Sequence, residues 1–127
     1  MAEFCNVLIV ESDQKTVEIA STVLKGAQCK VSYVKQGLNV VTHLLKNEFY
    51  LILLSDILPD EDGFRVLRRI REKEELSKIP VIMLLSSISE INHAFEDGCT
   101  DFLIKPLTAV QVDARLKPYI INVKNKK

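Results

Sequence analysis

The chain has 127 residues, of which 47% are hydrophobic and 27% charged, and this size and composition are typical of one globular domain. Basic and acidic residues number 17 each, so the basic excess of most nucleic-acid-binding proteins is missing. The sequence has neither an apolar run of the roughly 20 residues that span a bilayer nor the positive start of a signal peptide. We therefore expect a cytoplasmic protein that binds neither nucleic acid nor membranes.

Short apolar runs alternate with amphipathic segments along the chain. In chain order, the patterns predict a strand at 7–10, a helix across 17–27, a strand at 31–34, a helix at 40–45, a strand at 51–54, a helix around 66–70, a strand at 81–85, a short helix at 91–95, a strand at 102–104 and a last helix across 112–123. The predicted strands are nearly continuous apolar runs, as in sheets that are covered on both faces.

Strand and helix alternate five times, which predicts a parallel sheet with helices on both faces. Five such units in this length indicate an α/β protein, with a doubly wound, five-stranded, flavodoxin-like (βα)5 fold and the strand order 2-1-3-4-5. We assign residues 1–123 to this one domain. Residues 124–127, which read KNKK, are interpreted as a tail or as the start of a linker.

The three cysteines, Cys5, Cys29 and Cys99, are odd in number and have no metal-ligand spacing. We expect them to be buried, reduced thiols, as is usual in cytosolic proteins. The two histidines, His43 and His93, stand apart from each other in the sequence, and a zinc site therefore has no support.

Polar residues follow the carboxyl ends of the predicted strands, where a doubly wound sheet binds its ligands. They are Glu11, Ser12 and Asp13 after the first strand, Ser55 and Asp56 after the third, Ser86 beyond Leu85 of the fourth, and Lys105 after the fifth. Carboxylates are ligands for a hard cation such as Mg²⁺, and a lysine ammonium supplies the point charge for a phosphoryl oxygen.

Four segments in this order resemble the receiver domain of bacterial two-component response regulators, which includes the chemotaxis regulators. The segments are VLIVESD, LILLSDILPDEDGFRVLRRIRE, KIPVIMLLSS and GCTDFLIKPLT. The resemblance implies that an aspartate ending the third strand takes a phosphoryl group from a histidine kinase, with Mg²⁺ held by that aspartate and by two acids after the first strand. It also implies a Thr or Ser after the fourth strand and a lysine, both contacting phosphoryl oxygens.

Part of the family pattern is present at matching positions. Lys105 matches the lysine, Phe102 matches an aromatic residue that reports the switching state, and Glu11 matches the first acid. Ser12 stands where the second acid, a direct metal ligand, is expected, and Asp13 follows one residue later.

The implied metal site is therefore weak at best, with Glu11, Asp13 and Asp56 as its ligands, and we expect no firmly bound cofactor. We expect Lys105 to lie near two or more of these acids and to neutralise them. The acids at 60–62 precede the third helix, where negative charge stabilises a helix N-terminus.

The acceptor position has two interpretations. The family acceptor lies four residues before the loop proline, here Pro59, and this spacing selects Ser55. The pair Ser55-Asp56 also looks like the Ser-Asp of many relatives, which selects Asp56, but that register needs two compensating gaps. Leu85 stands where the hydroxyl residue is expected, unless a shift in the fourth strand gives that role to Ser86.

Three replacements in one pocket, Ser12, Ser55 and Leu85, favour a pseudo-receiver that has lost phosphoryl transfer. We expect a non-enzymatic, phosphorylation-independent module of two-component (phosphorelay) signalling. Its partner is a signalling protein, such as a histidine kinase or an output domain, or a second copy of itself. The resemblance implies contact through the face of helix four, strand five and helix five. The alternative is a working receiver that a histidine kinase phosphorylates on Asp56 with Mg²⁺.

Overall fold

The structure, a computed structural model, describes the backbone of residues 5–124 and the side chains of residues 5–121. Residue 124, assigned to the tail above, is the last residue of the final helix. Residues 125–127 of the predicted tail lie outside the described part, as do residues 1–4.

Five strands alternate with five helices along this part of the chain. The strands are β1 (Cys5–Val10), β2 (Cys29–Val34), β3 (Leu51–Ser55), β4 (Val81–Leu85) and β5 (Asp101–Ile104). The helices are α1 (Gln14–Gly26), α2 (Val40–Lys46), α3 (Gly63–Glu72), α4 (Ile91–Glu96) and α5 (Ala109–Lys124). No helix among the described residues is both long and apolar enough to cross a membrane.

The strands form one parallel sheet in the order β2-β1-β3-β4-β5, so the predicted fold class and strand order are confirmed. Val10 pairs with Val34 on one side and with Leu54 on the other, and Leu85 pairs with Ile104. Because the strands are parallel and end almost level, the residues that follow β1, β3, β4 and β5 meet at one edge of the sheet.

Two apolar clusters lie on the two faces of the sheet. Ile52 and Leu54 of β3 belong to the cluster covered by α2, α3 and α4, whereas Leu51 and Leu53 belong to the cluster covered by α1 and α5. Alternate side chains of a strand point to opposite faces, so a strand covered on both faces needs apolar residues throughout. This requirement explains the continuous apolar runs of the sequence.

Gly63 begins α3 where the chain passes closest to β3. A Cβ atom at this position would overlap the carbonyl oxygen of Ser55, while the backbone N–H of Gly63 donates to the carbonyl oxygen of Asp56 at 2.9 Å. The isolated bridge between Ile57 and Asp62 closes the same loop. The β3–α3 loop is therefore held tightly against the end of β3.

Arg71, near the end of α3, ties two distant loops together. Its guanidinium donates to the carbonyl oxygens of Gly98 at 2.7 Å, Ile79 at 2.7 Å and Leu76 at 3.1 Å, and to the Thr100 hydroxyl at 3.3 Å. Its burial lowers the pKa of this guanidinium. Carbonyl oxygens thus take the place of the water that would solvate an exposed arginine.

Candidate functional site

Lys105 links the ends of three strands. Its Nζ atom, one residue beyond β5, donates to Glu11 Oε1 at 3.0 Å and to Ser55 Oγ at 2.9 Å. Glu11 follows β1 and Ser55 ends β3. The lysine side chain is 18% exposed and the glutamate side chain 1% exposed, so the two charges form a largely buried ion pair.

The Ser55 hydroxyl is fully occupied by hydrogen bonds. It accepts from Lys105 Nζ and from the backbone N–H of Ile57 at 3.2 Å, and it donates to the carbonyl oxygen of Ile57 at 2.9 Å. A hydroxyl has one proton to donate and two lone pairs to accept, and all three are used. The residue is completely buried.

The residues after β1 form a turn around the Glu11 carboxylate. Its Oε2 atom accepts the backbone N–H groups of Ser12 at 3.0 Å and of Asp13 at 3.1 Å. Asp13 itself caps α1, because its Oδ2 atom accepts the hydroxyl of Thr16 at 2.6 Å and the Thr16 backbone N–H at 3.0 Å. These hydrogen bonds, with a smaller contribution from the charge of Lys105, lower the pKa of Asp13.

Asp56 makes different contacts from its neighbour Ser55. Its Oδ2 atom accepts the hydroxyl of Ser86 at 2.8 Å and the Ser86 backbone N–H at 3.1 Å. The residue is only 6% exposed, and its Oδ1 atom is buried without a hydrogen-bond partner among the described residues. The hydrogen bonds described for the Lys105 ammonium are with Glu11 and Ser55, and its charge also acts on Asp13.

Leu85 lies inside the apolar cluster under α2, α3 and α4 and is completely inaccessible to solvent. Only its backbone contributes at the site, because its carbonyl oxygen accepts the N–H of Lys105 at 2.8 Å. The hydroxyl at the end of β4 belongs instead to Ser86, which is exposed and bound to Asp56.

The predicted ligands of Mg²⁺ do not form a donor set for the ion. Glu11 receives Lys105 on one carboxylate oxygen and two backbone N–H groups on the other, Asp13 caps a helix, and Asp56 binds Ser86. Within residues 5–121, no three acidic, histidine or cysteine side chains come together as a metal-holding group. Each of the three predicted ligands thus has hydrogen-bond partners within the protein, and the Lys105 ammonium lies beside Glu11.

Phe102 lies on a surface of α4, β5 and α5 that we call the α4–β5–α5 face (Phe95, Asp101, Phe102, Arg115 and Tyr119). The Phe95 ring meets the Phe102 ring edge-on at 6.0 Å between centroids, and the Arg115 guanidinium lies 5.1 Å from the Phe102 centroid. Arg115 also pairs with Asp101 at 2.8 Å. Burial and then the charge of Asp101 raise the pKa of Tyr119.

Asp60 has a role that the sequence did not reveal. Its Oδ1 and Oδ2 atoms accept the backbone N–H groups of Gly37 and Leu38, both at 2.9 Å, and the Gly37 bond is the main cause of the lowered pKa of Asp60. The β3–α3 loop is thereby tied to the β2–α2 loop. No local pattern signals this contact, because it depends on two loops meeting in space.

The other acids of this loop have different partners. Asp62 caps α3 by accepting the backbone N–H of Phe64 at 2.9 Å, so the predicted capping role holds for this acid. Glu61 pairs with Arg69 at 2.6 Å and holds an arginine of α3 against the loop.

A family model described as the response regulator receiver domain matches residues 7–117. Transcriptional regulatory protein GltR of Pseudomonas aeruginosa is 36% identical over 114 residues, which cover 88% of this chain and 47% of GltR. Two-component response regulator ORR3 of Oryza sativa subsp. indica is 31% identical over 105 residues, 80% of each protein. The chain thus spans about half of the length of GltR and most of ORR3.

Solved structures agree with these matches. A protein from Chloroflexus aurantiacus, described as a response regulator, superimposes with a TM-score of 0.87 at 27% identity, covering 94% of this chain and 99% of the other. The signal receiver domain of a signal transduction histidine kinase from Syntrophus aciditrophicus has a TM-score of 0.81 at 27% identity, covering 96% and 94%.

Proposed function

Since this chain belongs to the response regulator receiver domain family, we propose that it is a receiver of two-component signalling that acts without phosphorylation. The observation that carries the proposal is the partner of Lys105. The family's lysine contacts the phosphoryl oxygens, and here the matching Lys105 binds the hydroxyl of Ser55 and the carboxylate of Glu11.

Ser55 cannot replace an aspartate in the family's chemistry. A carboxylate oxygen that attacks phosphorus forms a mixed anhydride, whereas a serine oxygen forms a phosphate ester, which is far more stable and carries a different signal. A serine also needs a base to take its proton. The ionisable side chain in contact with Ser55 is Lys105, which donates to it, and the Ser55 proton is already directed to the carbonyl oxygen of Ile57.

The alternative is phosphorylation of Asp56. One observation favours it, because the buried Oδ1 atom of Asp56 lacks a hydrogen-bond partner among the described residues and thus keeps a lone pair for attack. Its other oxygen is bound to Ser86, however, and Lys105 and Glu11 are engaged with each other. These contacts favour the phosphorylation-independent function.

Incubation with acetyl phosphate and Mg²⁺, followed by intact mass measurement, separates the two functions. We expect no phosphoryl adduct on the wild-type chain. An adduct that is labile to hydroxylamine, absent in Asp56→Asn and present in Ser55→Ala, would instead establish Asp56 as the acceptor.

A restored pocket provides the positive control. The triple variant Ser12→Asp, Ser55→Asp and Leu85→Thr returns the second acid, the acceptor and the hydroxyl to their family positions. We expect this variant to gain a hydroxylamine-labile adduct in the same assay. If the variant folds, as judged by circular dichroism, and still gains no adduct, the three replacements do not account for the loss.

We further propose that the α4–β5–α5 face binds the partner, which is another signalling protein or a second copy of this chain. Phe95 is 47% exposed there, beside Phe102 and Arg115. Tyr33 on β2 is equally exposed and gives a matched control. Sedimentation at increasing concentration tests self-association, which Phe95→Ser should weaken and Tyr33→Ser should not; equal weakening by both would contradict this interface.

The arginines of α3 support a function without nucleic acid. Arg68 pairs with Asp97 at 2.8 Å, Arg69 pairs with Glu61, and Arg71 donates to backbone carbonyl oxygens. Three of the helix's four arginines are therefore engaged within the protein rather than displayed as a patch for phosphates.

A further inference from the structure

Two cysteines begin adjacent strands side by side. Cys5 is the first residue of β1, Cys29 is the first residue of β2, and the two are direct partners in the parallel register. Neighbouring strands lie about 4.8 Å apart. That spacing falls within the roughly 4.4–6.8 Å between Cα atoms that a disulfide bond requires.

Both thiols also lie on the same face of the sheet. Cys5 and Cys29 belong to the apolar cluster under α1 and α5, and so does Val7, two residues after Cys5. The third cysteine, Cys99, belongs to the cluster on the opposite face. The sheet therefore separates Cys99 from the pair.

We propose that Cys5 and Cys29 are a dithiol that a hydroperoxide oxidises to a disulfide bond across β1 and β2. Cys29 is the initial nucleophile, because it is 7% exposed on the edge strand whereas Cys5 is fully buried. The Cys29 thiolate attacks the peroxide oxygen, the O–O bond breaks, and a sulfenic acid and one water or alcohol result. The Cys5 thiol then attacks that sulfur, the S–O bond breaks, the oxygen leaves as water with the thiol proton, and the S–S bond forms.

The disulfide bond would close the segment that runs from β1 through α1 to β2. That segment includes Glu11 and Asp13 of the candidate site. β2 is an edge strand with β1 as its strand neighbour, so the bond would fasten the edge of the sheet. A covalent link of this kind restricts the unfolded chain and thereby stabilises the folded one.

Oxidation of the native, full-length chain with hydrogen peroxide tests the proposal. After the reaction, the chain is unfolded in urea, its free thiols are alkylated with iodoacetamide, and its intact mass is measured. We expect a mass lower by two hydrogens with one alkyl group added, at Cys99, and full reversal by dithiothreitol. Non-reducing proteolysis should join the peptides that contain Cys5 and Cys29.

Two matched variants sharpen the result. Cys99→Ser should retain the linkage, and Cys29→Ser should abolish it. Oxidised wild-type chain should unfold at a higher urea concentration than reduced chain, whereas Cys29→Ser should show no such shift after the same treatment. A linkage to Cys99, a disulfide-linked dimer, oxidation to sulfinic acid without a disulfide, or a linkage that forms only in urea would each overturn the proposal.

Discussion

Lys105 and Glu11 are 94 positions apart in the chain and form an ion pair. The Lys105 ammonium lies between the buried Glu11 carboxylate and the Ser55 hydroxyl. Removing one partner of a buried pair leaves the remaining charge in a poorly solvated place. We expect Lys105→Ala to lower the free energy of unfolding by about 1–3 kcal/mol at neutral pH, measured by urea denaturation.

Lys117 provides the control for this substitution. It pairs with Asp113 at 3.5 Å on the surface, with side chains 61% and 55% exposed. Lys117→Ala should therefore cost about 0.5 kcal/mol or less. A similar decrease in the free energy of unfolding in the two variants would show that water solvates the Lys105 pair and that its contacts at the strand ends are weak.

Protonation of Asp60 at low pH should weaken the contact between the β3–α3 loop and the β2–α2 loop. The pKa of Asp60 is lowered from the ordinary 3.8, chiefly by the Gly37 backbone N–H, so its ionised form stabilises the fold above that pH. The stabilisation is lost as the pH falls through the lower, folded-state pKa. Asp60→Asn should unfold at a lower urea concentration than wild type at pH 7, and the difference should shrink below pH 3.8; a difference that stays constant down to acidic pH would contradict this role.

The secondary-structure elements were largely predictable because their patterns are local. Apolar runs marked β3 and β4, and three- and four-residue steps marked the inner faces of α1 and α5. The 3-10 turn at Glu74–Leu76 was not predicted. It is part of a loop whose carbonyl oxygens bind Arg71, and such a contact leaves no periodic signal in the sequence.

Gly63 determines how closely α3 starts beside β3. In Gly63→Ala the new methyl group would overlap the Ser55 carbonyl oxygen, so the loop would have to move and the Asp56–Gly63 backbone hydrogen bond would lengthen. We expect a loss of about 2–3 kcal/mol in stability, measured by thermal or urea unfolding. Gly26→Ala is the control, since that position has open space around it and lies in α1; there alanine should be neutral or stabilise by about 0.5–1 kcal/mol.

At the scale of the whole molecule, the alternation of elements was enough to predict the parallel sheet and to place the candidate site at its carboxyl edge. The spacing to Pro59 favoured Ser55 over Asp56 but could not show which side chain meets Lys105. That choice depends on which way each residue points after β3 ends, and on the hydroxyl that Ser86 offers to Asp56. The direction of these side chains is set by the tertiary structure and leaves no local pattern in the sequence.

The Lys105–Glu11–Ser55 contact also has a consequence for the time course of folding. It joins the ends of β1, β3 and β5, so nearly the whole chain must be looped back before it forms, at a high entropic cost. We expect a contact of this kind to form in the last steps of folding, after the transition state. Its loss in Lys105→Ala should therefore speed unfolding and leave the folding rate almost unchanged. The ion pair would thus slow the unfolding of the native sheet.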